Sequence, residues 1–163
     1  VKGNTVASRT KPEIEKQMPD EPGTPKVQEI FYRANFIRDL DIRLDHVSEG
    51  ICETSLIVRE RLLQQHGFVH GGVIATLADH TAGGAARSVS REKDVLTVEF
   101  KINYLRPAIG DHLRCTATVL RAGKAMIVAE ALVFASKGGE ETLVAKLTET
   151  LFLADDPKAG TGS

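Results

Sequence analysis

Residues 64–87 read QQHGFVHGGVIATLADHTAGGAAR. The stretch starts as a polar loop, tightens at Gly67, reaches His70-Gly71-Gly72 and runs into a helical pattern with one acid, Asp79. At about 100° per residue, Ile74, Leu77, Ala78, Thr81 and Ala85 fall on one side, which predicts a buried stripe. Asp79 falls on the opposite side, among Gly72, Ala75, Thr76, Gly83 and Ala86. Small residues on a helix face let another backbone or a ligand come close. An exposed mid-helix aspartate costs only a few tenths of a kcal/mol, so the wheel alone leaves both a functional and a solvated carboxylate open.

Two features favour function. The paired glycines place unencumbered N–H groups at a helix N-terminus, where four donors lack intrahelical partners and the dipole favours negative charge. That is the equipment of an oxyanion hole, in which one donor is worth about 2.7–4 kcal/mol in the transition state. The second feature is distance. Gly71 and Asp79 are eight residues apart, about 12 Å along one helix. They do not reach one carbonyl from one chain, so a reaction that uses both needs a site between two subunits.

Gln64, Gly67, His70-Gly71-Gly72, Leu77-Ala78-Asp79 and the later Asn103-Tyr104-Leu105-Arg106-Pro107-Ala108 resemble the hotdog-fold thioesterases of the phenylacetate-pathway type. The resemblance runs from about Ile30 to Leu153. It implies an α+β hotdog fold, an antiparallel sheet curled around one long helix. It also implies hydrolysis of an acyl- or aryl-acyl-CoA thioester, Asp79 being general base or nucleophile and the partner subunit supplying the Gly71 N–H to the carbonyl. Gln64 stands where relatives carry Asn or Gln to orient water or substrate. Thr97 stands where some carry a hydroxyl that helps to hold the water. The alternation of its strand, however, puts Thr97 on the polar side, away from its own core. His70 is read as fixing the Gly71 donor through the loop. Gly72, the Arg106-Pro107 segment and the Arg121-Ala122-Gly123-Lys124 turn are implied to face the substrate and its nucleotide end. The implied assembly is a homodimer that pairs again into a homotetramer. The alternative is a non-catalytic hotdog sensor that binds acyl-CoA, in which a carboxylate at position 79 has no use.

Outward from this centre, 163 residues suit one domain. The polar, proline-rich residues 1–26 and residues 155–163 are expected to be tails on a domain spanning 27–154. No apolar run approaches a membrane span and no signal-peptide core is visible, so the expectation is a cytoplasmic protein without a membrane partner. A net charge of −1 gives no case for nucleic acid. Cys52 and Cys115 sit in apolar strand-like segments and read as buried thiols. No cofactor is expected, and no metal either, because His66, His70 and His80 are not spaced to converge tetrahedrally.

The remaining periodicities give the elements. Ile30, Phe31, Ala34, Phe36 and Ile37 predict one amphipathic helix over residues 27–41. Residues 42–48 and 51–58 flank Glu49-Gly50 as a hairpin, and 59–69 is a loop. In 94–104, Leu96, Val98, Phe100, Ile102 and Tyr104 alternate with polar residues and predict a half-buried strand. Strands follow at 112–120, 125–136 and 141–153, the middle one apolar enough for burial on both faces.

Overall fold

The computed structural model describes residues 24–91 and 93–155, so most of both expected tails lies outside the described residues. In chain order the elements are helices α1 (Thr24–Phe31) and α2 (Asn35–Asp39), strands β1 (Arg43–Ser48) and β2 (Ile51–Ile57), and a short 3-10 turn (Glu60–Leu62). The long helix α3 (Gly71–Ser88) follows, then β3 (Asp94–Tyr104), β4 (His112–Ala122), β5 (Met126–Lys137) and β6 (Glu140–Ala154). The strands form one antiparallel sheet in the order β1-β2-β4-β5-β6-β3. Among the described residues no helix is long and apolar enough to cross a membrane.

The sheet curls around α3, the hotdog arrangement. Ile74, Leu77, Ala78, Thr81 and Ala85 are buried as their spacing predicts. Ala86, expected on the Asp79 side, is buried too, as are Ala82 and Gly84. The reason is that the C-terminal half of α3 is enclosed by the strands and by α1, and a helix enclosed on most sides needs small or apolar residues nearly all round. A Cβ on Gly84 would lie 2.8 Å from Cys52 Sγ, whereas one on Gly83 would meet nothing within 4 Å. One glycine of the pair therefore sets the helix-to-sheet distance, and the other faces open space. Gly50, at φ +74°, turns the β1–β2 hairpin, and its N–H donates to Ser88 Oγ at the end of α3. Both cysteines are free and buried. Burial raises both thiols, Cys115 to about 12.

Three expectations are corrected. The first helix is two helices, because the chain breaks at Ala34 (ψ 110°). The break turns Phe31 and Ile37 both inward and leaves Phe36 61% exposed. Strand β3 has the expected bounds but is not half-buried. It lies at the sheet edge with only β6 beside it, and Leu96 and Val98 are 55% and 58% exposed. Strand β5 is buried on one face only. Ile127, Ala129, Ala131, Val133 and Ala135 point inward, while Val128, Leu132 and Phe134 stay partly exposed because no described element covers the convex side.

The two glycines yield a contrast. Gly84→Ala should destabilise the fold by about 1–3 kcal/mol through overpacking against Cys52. Gly83→Ala should be neutral or stabilising by up to about 1 kcal/mol through helix propensity. Urea denaturation midpoints of the two variants measure this, and equal losses would show that Gly84 does not set the helix–sheet spacing.

Candidate active site

The N-terminus of α3 is tied down residue by residue. His70 caps it, with Nδ1 accepting from the Gly72 N–H at 2.9 Å, so the ring proton sits on Nε2. The Gly71 carbonyl accepts from the Tyr104 hydroxyl at 2.8 Å. The Val73 N–H turns back to the His70 carbonyl at 2.9 Å. Of the first-turn donors, only the Gly71 N–H has no partner among the described residues. The glycines are required by their neighbours: a Cβ on Gly71 would lie 3.3 Å from the Tyr104 ring, and one on Gly72 would lie 3.1 Å from His70 Nδ1. His70 thus fixes the helix start through Gly72, which leaves Gly71 as the free donor. Gln64 serves the same loop, its Oε1 accepting from the His66 N–H at 2.8 Å.

Asp79 lies two turns along α3, half-buried beside β3 and β6. Thr97 Oγ1 stands 2.8 Å from Asp79 Oδ1 and 2.7 Å from Glu149 Oε1. The expectation that Thr97 points to the polar side of its strand is corrected here. Thr97 pairs with Leu151 and Glu99 with Thr150, so Val98 is an extra residue, a bulge. The bulge reverses the alternation, and Thr97 shares the inner face with Phe100 and Ile102, opposite Glu149 and Leu147. The hydroxyl reaches Asp79 within its own chain.

Glu149 is absent from the sequence reading, although a signal exists. It occupies the inward parity of β6 with Ala145, Leu147, Leu151 and Leu153, one acid in an otherwise apolar set. It is 1% exposed. Burial, with the Asp79 charge adding to it, raises its carboxyl from 4.5 to about 8, against the Thr97 hydrogen bond. No donor among the described residues reaches its Oε2, and the carboxyl of Asp79 lies within side-chain hydrogen-bond reach of a protonated Glu149. His80, next to Asp79, donates from Nε2 to the Phe31 carbonyl at 3.1 Å and packs on the Phe31 ring. Burial lowers its pKa and keeps it neutral near pH 7.

Asp79 opens into a cleft of about 220 Å³ lined by Val27, Ile30 and Phe31 of α1, by Gly83, and by Val95 and Thr97 of β3. The contribution of α1 is likewise not legible in the spacing of its residues. The basic candidates lie apart. Arg106 Nη1 donates to the Leu143 carbonyl at 3.0 Å, and exposed Pro107 leads to Ala108, whose carbonyl takes the Val69 N–H. That segment therefore sits at the α3 N-terminal end. Arg121, Gly123 and Lys124 are exposed at the other end, on the row that runs Ala122, Ile127, Leu151, Thr97 across four strands. Arg106 holds the row of Leu143, Phe134 and Arg114, seven residues along β4 from Arg121, or about 23 Å. One chain brings together Asp79, Thr97 and Glu149 at one place, and His70, Gly71, Gln64 and Arg106 at another. Among the described residues no three His, Cys, Asp or Glu side chains lie close enough to hold a metal ion.

The thioesterase superfamily model matches residues 66–142, from the loop before α3 to the start of β6. A crystal structure of a thioesterase family protein from Silicibacter pomeroyi superposes with a TM-score of 0.79 at 37% identity, covering 82% of this chain and 98% of that one. The 1,4-dihydroxy-2-naphthoyl-CoA hydrolase of Listeria monocytogenes is 33% identical over 92 residues, 56% of this chain and 75% of its own. The PaaI protein from the phenylacetic acid degradation operon of Escherichia coli shares the fold, with a TM-score of 0.74 at 23% identity over 80% of this chain and 92% of that one. Together with the sheet-wrapped helix, these matches place the chain in the thioesterase superfamily, as a thioester hydrolase of hotdog fold.

Proposed function

We propose that the protein hydrolyses acyl-CoA thioesters at sites shared between two copies of the chain. The Asp79 carboxylate of one copy and the Gly71 N–H of the other act on one carbonyl. The observation that carries this reading is the separation of the two groups on α3, each prepared in its own surroundings. The Gly71 N–H is left free by a first turn whose other donors are occupied, and Asp79 is held by Thr97 in the cleft. The cleft of about 220 Å³ is smaller than the range of about 300–1,000 Å³ usual for small-molecule pockets, as befits half a site. The uncovered edge of β3, with Leu96, Val98, Phe100 and Tyr104 exposed, supplies apolar surface for a second copy. The partly exposed convex face of β5 suits a further pairing into a tetramer. The CoA moiety is supported by the relative that hydrolyses 1,4-dihydroxy-2-naphthoyl-CoA.

In this mechanism Asp79 removes a proton from water, or attacks the carbonyl itself. Negative charge then collects on the carbonyl oxygen, where the free N–H at the positive end of α3 stabilises it. Collapse expels the CoA thiolate: after attack by water it leaves the free acid directly, and after attack by Asp79 it leaves a mixed anhydride that water then hydrolyses to the free acid and the Asp79 carboxylate. Gln64, whose NH2 has no partner among the described residues, orients the water or the acyl group. Arg106 from one copy and Arg121 with Lys124 from the other hold the nucleotide, which joins basic groups that one chain keeps apart.

Asp79→Asn should lower kcat by about 10²–10⁴-fold while the protein stays folded and binds acyl-CoA. Near wild-type kcat would make Asp79 structural and put the reacting group elsewhere. Arg121→Ala or Lys124→Ala should raise KM for acyl-CoA with little change in kcat, and matter much less for an acyl-pantetheine thioester. Equal losses on both substrates would place these side chains away from the nucleotide.

The shared site has its own test. Asp79→Asn and Gly71→Pro subunits, the latter lacking the N–H, should each be nearly inactive as homodimers. After mixing at equal amounts and refolding, about half the dimers are mixed and each holds one intact site, so about a quarter of wild-type activity should return. No recovery in proven heterodimers would overturn the shared site.

A further inference from the structure

The Thr97 hydroxyl carries one proton, yet it stands at hydrogen-bond distance from two carboxyl oxygens, 2.8 Å from Asp79 Oδ1 and 2.7 Å from Glu149 Oε1. It can donate to only one of them. If both acids were ionised, the second oxygen would face a lone pair of Thr97 with no hydrogen between. One of the two acids therefore carries a proton, and the two carboxyls themselves stand within side-chain hydrogen-bond reach of each other. Burial decides which. Asp79 opens into the cleft, whereas Glu149 is 1% exposed on the inner face of β6, between Leu147 and Leu151.

We propose that Glu149 is a positioning residue for Asp79: it stays protonated in the working enzyme and donates to Thr97 Oγ1, which in turn donates to Asp79 Oδ1. The chain of bonds holds the Asp79 carboxylate in one orientation and leaves its other oxygen to water or substrate. This rests on the reading of Asp79 as the reacting carboxylate.

The surroundings agree from every side. Asp79 faces Glu149 from α3, and its neighbour His80 is engaged with the Phe31 carbonyl and kept neutral by burial. Arg87 of α3 and Asp94 of β3 line the same cleft, but that guanidinium is committed to the Lys93 carbonyl, Ser90 and Asp94 itself. On the sheet, Glu149 is flanked by Phe100 and Ala129. Among the described residues no cation is positioned to hold Glu149 ionised, and burial raises its carboxyl to about 8. When Glu149 loses its proton, the lone Thr97 proton is contested, the charges repel, and Asp79 loses its orientation.

The expected consequence is a fall in kcat on the basic side, centred near pH 8. Glu149→Gln presents an amide N–H in place of the acid O–H. It should keep kcat near pH 7 within about threefold and abolish that basic limb. Glu149→Leu removes the donor and should lower kcat at least about tenfold with little change in KM. A basic limb unchanged by Glu149→Gln, or equal activity of the Gln and Leu variants, would overturn the proposal.

A second readout needs no catalysis. A carboxyl raised from 4.5 to about 8 on folding binds more protons in the folded than in the unfolded state across that window. Wild-type stability should then fall relative to Glu149→Gln as pH rises through the window, so the gap, taken as the variant's Tm minus the wild type's, should widen in the positive direction. A constant gap would mean that Glu149 holds no proton, which overturns the proposal even if both proteins are active. A widening gap beside a fully active Asp79→Asn enzyme would instead overturn the role of Asp79 in hydrolysis and leave the proton on Glu149 in place.

Discussion

The depth at which α3 sits in the sheet governs everything else in this molecule. Ala78, Ala82, Ala85 and Ala86 are fully buried, and Gly84 backs onto Cys52 with no room for a Cβ. The Thr54 and Thr81 hydroxyls meet at 2.6 Å inside this contact, so the polar groups nearest the interface satisfy each other. Leu77 and Ile74 add apolar burial worth about 1.5–3 kcal/mol each. A helix held this closely does not slide or rotate without overpacking. Its one acid is consequently fixed at the level of Thr97 and Glu149, and its first turn at the level of Tyr104.

Two polar constructions follow from that placement. At the helix start, His70, Tyr104 and the turn back to Val73 occupy the available groups until the Gly71 N–H is the donor left over. A free donor at the positive end of a helix, on a backbone pinned by its neighbours, is the preorganised arrangement that the proposed oxyanion role requires. Along the helix, two carboxyls of different exposure meet at one hydroxyl. Burial raises the Glu149 carboxyl, the kind of difference in surroundings that lets adjacent acids take separate roles. The strand that carries the hydroxyl is also the sheet edge, so its exposed apolar surface adjoins the cleft.

Much of this was legible in the chain itself. Helical spacing from Gly71 to Ser88 and the run of alternating strands determine a sheet around one helix, because apolar periodicity states which face of each element must leave water. His70-Gly71-Gly72 determines a helix start with a bare backbone, and eight residues of separation determine that Gly71 and Asp79 do not meet on one helix. Other features depended on contacts between segments far apart in sequence. A bulge at Val98 depends on how β3 registers against β6, and it alone turns Thr97 inward. The break before Asn35 and the lining of the cleft by α1 depend on where Phe31 and Ile37 find the core. The exposure of β3 depends on its position at the sheet edge, which strand composition does not encode. Glu149 shows the division most clearly. Its place in an apolar parity is written in β6, but its partners, 52 and 70 residues earlier, are chosen by the fold, and so is the buried setting that raises its carboxyl.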